Sequence, residues 1–121
     1  MARRRIQPAA GLAALAAVEA GSTARADIAT AVRFLLEELG ELAPGKSVEV
    51  RVPPYGAVQC VGGLTHTRGT PPNVIEMDAE TWIGIATGRL SWGDATAAAR
   101  VLASGSRANL DGLLPVVRRP R

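Results

Sequence analysis

The chain has few aromatic residues. Aromatics make up 3% of its 121 residues, whereas apolar residues make up 47%. The chain is long enough for one hydrophobic core and too short for two. That core must be built mainly from Ala, Val, Leu and Ile, so any pocket within it will be aliphatic. The only large rings that can shape such a pocket are Phe34, Tyr55, Trp82 and Trp92.

Cysteine and histidine are equally scarce. Cys60 is the single cysteine and His66 the single histidine. One cysteine cannot form an internal disulfide, so cysteine usage does not require an oxidising compartment. One cysteine and one histidine give no metal-ligand spacing, and neither G-x-x-x-x-G-K nor G-x-G-x-x-G occurs in the sequence. We therefore expect no metal and no cofactor.

The net charge of +3 comes from the two ends of the chain. Six arginines lie in residues 3–5 and 118–121, which leaves eight basic against eleven acidic residues between them. No basic stripe interleaved with aromatic residues lies on a predicted element, so we expect no specific nucleic-acid partner. The terminal arginines allow at most peripheral contact with an anionic membrane.

The N-terminus resembles a secretory signal peptide only superficially. Three arginines precede the apolar run GLAALAAV, but that run is mostly alanine. Pro8 interrupts its start, and Glu19 lies where cleavage would occur. The run is also too short to span a membrane. These features favour a cytoplasmic location.

Apolar residues at helical spacing predict two helices, over residues 9–20 and 27–39. The second helix has the clearer pattern, with an apolar stripe on one side and Arg33 four residues before Glu37 on the other. That spacing predicts an ion pair between the two side chains. The stripe consists of Ile28, Val32, Leu35, Leu36 and Leu39.

A β-hairpin is predicted next. Three valines alternate with charged residues in residues 46–52, which is typical of a strand with one buried face. The PPYG sequence at residues 53–56 forms a turn, and residues 57–61 return as an antiparallel partner. Residues 73–77 form a third strand.

Residues 77–105 predict two capped helices. Asp78 is placed to cap the first, which ends at Gly88. Ser91 and Asp94 have the S-x-x-D spacing of a capping box that opens the second. This segment contains no recognisable catalytic group.

The second of these helices is rich in alanine. We expect Ala95, Ala98 and Ala99 to form one close-packing face. Residues 100–104 then form a strand. Asn109 is placed to cap a last helical turn.

The order of these elements resembles the C-terminal half of sterol carrier protein type 2 domains. The segment from Thr30 to Leu114 is most similar to the single-domain bacterial members of that superfamily, notably those of actinobacteria. The matching runs are TAVRFLLEEL, SVEVRVPP, AVQC, HTRGTPPNVIE, TWIGIATGRLSW and ASG-RA-L-LLP.

The resemblance implies an α+β, SCP2-like fold, in which a mixed, curved sheet of about four to five strands is covered by helices on one face. It also implies a non-enzymatic lipid carrier with an apolar tunnel between sheet and helices. The walls of this tunnel would come from Leu35, Leu36, Leu39, Trp82, Ile85, Leu90, Leu113 and Leu114. Eukaryotic sterol carriers have bulky apolar residues in the last helix, whereas this chain becomes arginine-rich after Leu114. That difference favours a fatty acyl chain or other lipid over a sterol.

The loop over residues 66–73 has the only cluster of chemically capable groups. Arg68 and the backbone amides around Thr70 can bind a carboxylate or phosphate headgroup, and His66 can donate a proton. The alternatives are a plain hairpin loop and acid-base catalysis. No second catalytic group is placed by spacing, so we expect no catalytic residue and no enzymatic activity.

Two further expectations concern organisation and partners. We expect a flexible basic tail and short helix over residues 1–22, the SCP2-like domain over residues 23–115, and a basic tail over residues 116–121. The rival to a lipid carrier is an accessory module that binds protein, because superfamily members also occur as appended domains of enzymes. A homodimer is compatible with either reading.

Overall fold

The computed structural model describes residues 5–63 and 73–117. The helices and strands follow one another in the order α1 (Pro8–Glu19), α2 (Arg25–Leu42), β1 (Val48–Val52), β2 (Gly56–Cys60), β3 (Asn73–Glu76), α3 (Ala79–Thr87), α4 (Trp92–Ala97) and β4 (Leu102–Ser104). None of the helices in these residues is both long and apolar enough to cross a membrane.

The strands within the described residues form one mixed sheet in the order β2-β1-β3-β4. The β1 and β2 strands pair as the predicted antiparallel hairpin, with Val50 opposite Val58. The β3 strand runs parallel to β1 and antiparallel to β4. The predicted α+β fold with a mixed sheet is therefore confirmed.

Alternation along the strands gives the sheet one buried face. Val48, Val50 and Val52 of β1 are fully buried, as is Ile75 of β3. The charged residues between the valines are only half-buried. Burial of apolar side chains is the main favourable term in folding, so this face fixes the register of the sheet against the helices.

The α2 helix is the central helix of the fold. It contacts α1, β2 and α3, and its stripe of Val32, Leu35 and Leu39 is fully buried. The buried indole Nε1 of Trp82 in α3 donates a hydrogen bond to the backbone carbonyl of Val32, 3.2 Å away. Apolar packing and this bond together fix α3 against α2.

The α1 helix packs on α2 at a point where it has no side chain. A Cβ atom built on Gly11 would lie 2.2 Å from the ring of Phe34. Only glycine allows the two helices to approach this closely. Leu15 is also buried in the contact, whereas Leu12 is 48% exposed.

The caps predicted for α3 and α4 are confirmed. The Asp78 carboxylate accepts the backbone N–H of Thr81 at 2.8 Å, and Gly88 ends α3 with a left-handed φ of 84°. The Ser91 hydroxyl accepts the backbone N–H of Asp94 at 2.9 Å. These local bonds satisfy backbone groups that a helix terminus otherwise leaves without partners.

Two local predictions were wrong. Ala98 and Ala99 are exposed, because α4 ends at Ala97 and only Ala95 of the alanine set is buried. The last strand is shorter than predicted and begins at Leu102, which is 70% exposed. All three residues of this edge strand are exposed, so neither of its faces is buried.

Candidate ligand-binding site

The predicted tunnel walls converge on one apolar core. Leu35, Leu39, Trp82 and Ile85 are fully buried, and Leu36 is 3% exposed. The remaining predicted wall residues pack partly buried against the same core; they are Leu90, Leu113 and Leu114. The structure thus brings all eight residues into one cluster, and their contact with a ligand stays a prediction.

A cleft of about 700 Å³ lies between α2 and the β1–β2 hairpin. Of the eight predicted residues only Leu36 lines it. The lining residues are Arg5, Ile6, Thr30, Arg33, Leu36, Glu37, Tyr55, Gly56, Ala57 and Val58. Leu36, Ile6 and Val58 supply apolar surface. The charged residues of the lining are Arg5, Arg33 and Glu37.

Glu37 brings the N-terminal segment to the cleft. Its two carboxylate oxygens accept the backbone N–H groups of Arg5 and Ile6, at 3.0 and 3.1 Å. The predicted ion pair between Arg33 and Glu37 is therefore absent from the described structure, because both oxygens of Glu37 face the N-terminal segment. The segment forms one wall of the cleft, and we name residues 5–7 the N-terminal strap.

Arg33 contacts the hairpin side of the cleft. Its Nε donates a 2.7 Å hydrogen bond to the backbone carbonyl of Tyr55, in the turn between β1 and β2. Arg33 is otherwise exposed along the cleft. Arg5 and Arg33 outnumber Glu37, which is the one acidic residue of the lining, so the lining residues carry a net positive charge.

A second, smaller cleft of about 530 Å³ lies beside the start of α3. It is lined by Pro53, Glu76, Met77, Asp78, Ala99, Arg100 and Leu102. The backbone N–H of Thr81 holds the pKa of the Asp78 carboxyl below its usual value. Asp78 thus remains a charged cap and is poorly suited to act as a general acid at neutral pH.

Cys60 lies in the core and has the properties of a structural cysteine. Burial raises the pKa of its thiol to about 11. The thiol is therefore protonated at neutral pH, and a protonated thiol is a poor nucleophile. Among the described residues, no group of three or more His, Cys, Asp or Glu side chains is placed to hold a metal ion.

The sequence-based headgroup candidates His66, Arg68 and Thr70 lie outside the described residues. Sequence reasoning missed the strap and the roles of Arg33 and Tyr55 in the cleft. The strap and Glu37 of α2 are more than thirty residues apart in the sequence, and no local sequence pattern indicates a contact between residues so far apart. The only available signal was Arg33 itself, a charged residue beside an apolar stripe.

Comparison with known proteins gives the family. No curated protein matches the chain. A family model described as bacterial SCP ortholog matches residues 24–116, which is more than half of the chain and includes α2, the whole sheet and α3. The chain belongs to the bacterial SCP ortholog family.

Proposed function

We propose that the protein is a non-enzymatic carrier that binds an apolar small molecule, with a fatty acyl chain or other lipid as the ligand. The observation that carries the proposal is the cleft between α2 and the hairpin, in a chain of the SCP family. Its volume of about 700 Å³ falls within the range of roughly 300–1,000 Å³ typical of small-molecule sites.

Leu36 belongs both to the lining of the cleft and to the apolar core that contains the other predicted wall residues. This residue lines the cleft, and its helical neighbours Leu35 and Leu39 point into the core. We propose that a ligand first contacts Leu36 and Val58. An acyl tail that goes deeper must separate α2 from the sheet, because Trp82 and Ile85 are fully enclosed.

The proposal extends to organisation and location. Residues 23–115 form the ligand-binding domain, and α1 packs on it and delivers the N-terminal strap to the cleft. The proposal places the protein in the cytoplasm, which a single buried cysteine supports because it requires no oxidising compartment.

Native mass spectrometry of gently purified protein tests the proposal. We expect a bound lipid, or uptake of one equivalent of a medium-chain fatty acid or fatty alcohol after delipidation. Protein that stays free of ligand after incubation with both compounds would contradict it.

The rival function, an interaction module, is favoured by one observation. Leu102 lies on the edge strand β4 and is 70% exposed. Edge strands with exposed apolar residues can pair with the same strand of a second copy. Light scattering tests the rival: this reading predicts a dimer that Leu102→Glu dissociates, and a monomer in the natural protein would count against it.

A further inference from the structure

The lining of the cleft includes two arginines whose side chains form no ion pair among the described residues. Among the described residues the ion pairs join Arg51 to Glu49, Arg89 to Glu19 and Arg100 to Glu80. Arg5 and Arg33 take part in none of them. Both residues nevertheless belong to the lining of one cleft, together with the apolar residues Leu36 and Val58.

The one carboxylate in the lining has other partners. Each oxygen of Glu37 accepts a backbone N–H of the strap, as described above. These bonds direct the Glu37 carboxylate toward the strap backbone, and the arginine side chains remain free to bind an incoming anion. The same bonds place Arg5 at the cleft, so Glu37 positions one of the two cations.

Arg33 is partly ordered before any ligand arrives. The hydrogen bond from Nε to the Tyr55 carbonyl restricts the side chain. A Cβ atom built on Gly56 would be 3.6 Å from the Cγ of Arg33, so the aliphatic part of the Arg33 side chain lies beside the start of β2. With Nε engaged, the two terminal NH₂ groups remain as donors, and they match two oxygens of a carboxylate or phosphate.

We propose that Arg33, assisted by Arg5 and the hydroxyl of Thr30, binds an acidic group at the mouth of this cleft. The ligand is then an anionic amphiphile, whose carboxylate or phosphate meets Arg33 and whose apolar part contacts Leu36 and Val58. This inference rests on the proposed function for the apolar part of the ligand. It assigns the headgroup to α2 rather than to the sequence-based candidate Arg68.

Calorimetric titration with matched probes tests the site. Decanoate supplies both parts of the ligand, decanol supplies only the tail, and acetate and inorganic phosphate supply only the anion. The proteins are the natural sequence, Arg33→Gln, and Arg25→Gln as a control that removes an exposed arginine from the first turn of the same helix. Arg68→Gln is included to test the sequence-based candidate.

We expect the natural protein to bind decanoate more tightly than decanol. Arg33→Gln should weaken decanoate binding by about tenfold or more, since charge-assisted hydrogen bonds are the stronger class. It should leave decanol binding unchanged, and Arg25→Gln should change neither. The difference between the two probes distinguishes loss of an anion site from general damage to the fold.

Each other result has a defined meaning. Equal affinity for decanoate and decanol, or an unchanged decanoate affinity in Arg33→Gln, would overturn the anion site while the carrier function stands. Loss of decanoate binding in Arg68→Gln alone would assign the headgroup to Arg68 and also overturn the proposal. Binding of acetate or phosphate as tight as decanoate would show a site for a free anion. If neither ten-carbon probe binds, both the inference and the proposed function fail.

Discussion

The guanidinium of Arg33 and the backbone carbonyl of Tyr55 form a 2.7 Å hydrogen bond that joins α2 to the turn of the β1–β2 hairpin. Both residues line the cleft between these two elements. Leu36 lies one helical turn further along α2 and faces the same space. A charged group and an apolar surface thus meet at one opening, as an amphiphilic ligand requires.

Filling the cleft should prevent ligand binding. A Cβ on Gly56 would meet Leu36 at 3.5 Å, which is ordinary contact, and Gly56 lines the cleft, so we expect a larger side chain there to fill part of the cleft. Gly56→Leu should therefore reduce decanoate affinity with little change in melting temperature. Gln59→Leu places the same side chain on an exposed position of the same strand and should bind like the natural protein. Unchanged binding by Gly56→Leu would place the ligand elsewhere.

The strap should detach when Glu37 loses its carboxylate. Glu37→Ala removes both acceptors for the backbone N–H groups of Arg5 and Ile6. Hydrogen exchange at these amides should accelerate, whereas Glu37→Gln keeps one acceptor oxygen and should give an intermediate rate. Exchange in the core of α2 should stay slow in both variants. Equal protection of the strap amides in all three proteins would show that Glu37 does not hold them.

The close approach of α1 to α2 should make Gly11 sensitive to any side chain. Gly11→Ala places a methyl group 2.2 Å from the ring of Phe34, so the two helices must move apart. We expect a loss of about 1–3 kcal/mol in the free energy of unfolding, the usual range for overpacking. Chemical denaturation measures it.

Gly93→Ala is the matched control for this substitution. Its Cβ would have only the Ser91 hydroxyl oxygen at 4.0 Å, and Gly93 lies in an exposed part of α4. The control should be neutral or more stable by up to about 1 kcal/mol, because alanine favours helix. A stabilising Gly11→Ala would contradict the α1–α2 packing.

The Asp78 cap should make stability depend on pH. Its pKa is lowered in the folded protein, chiefly by the Thr81 N–H, so its contribution is present above the unfolded pKa and is lost as pH falls through the folded value. Asp78→Ala should cost about 0.5–2 kcal/mol at neutral pH. The difference from the natural protein should shrink in acid. A constant difference from neutral pH into acid would argue against a charged cap.

The caps and the hairpin were predictable because their causes are local. Asp78 and Ser91 each bond to a backbone group three residues away, and the alternating valines of β1 need only one buried face. Exposure of Ala98 was not predictable in this way. The exposure of Ala98 depends on where α4 ends and on which elements pack against that helix. A run of alanines indicates neither.

The cleft was not predictable for a related reason. The sequence predicted a contact between Glu37 and Arg33 because the two residues are four apart on one helix, and this spacing was the only geometric information available. The actual partners of Glu37 are backbone amides of Arg5 and Ile6, which have no side-chain signature. The apolar stripe correctly predicted which face of α2 is buried, but it does not show where the packing stops and an opening begins.

An NMR titration of isotope-labelled protein with decanoate tests the central claim most directly, since it reports the location of the ligand together with its affinity. The largest amide shifts should fall at residues 30–37 of α2 and 56–58 of β2, and they should saturate at one equivalent. Shifts confined to residues around the second cleft, such as 99–102, or no saturable shifts at all, would contradict it.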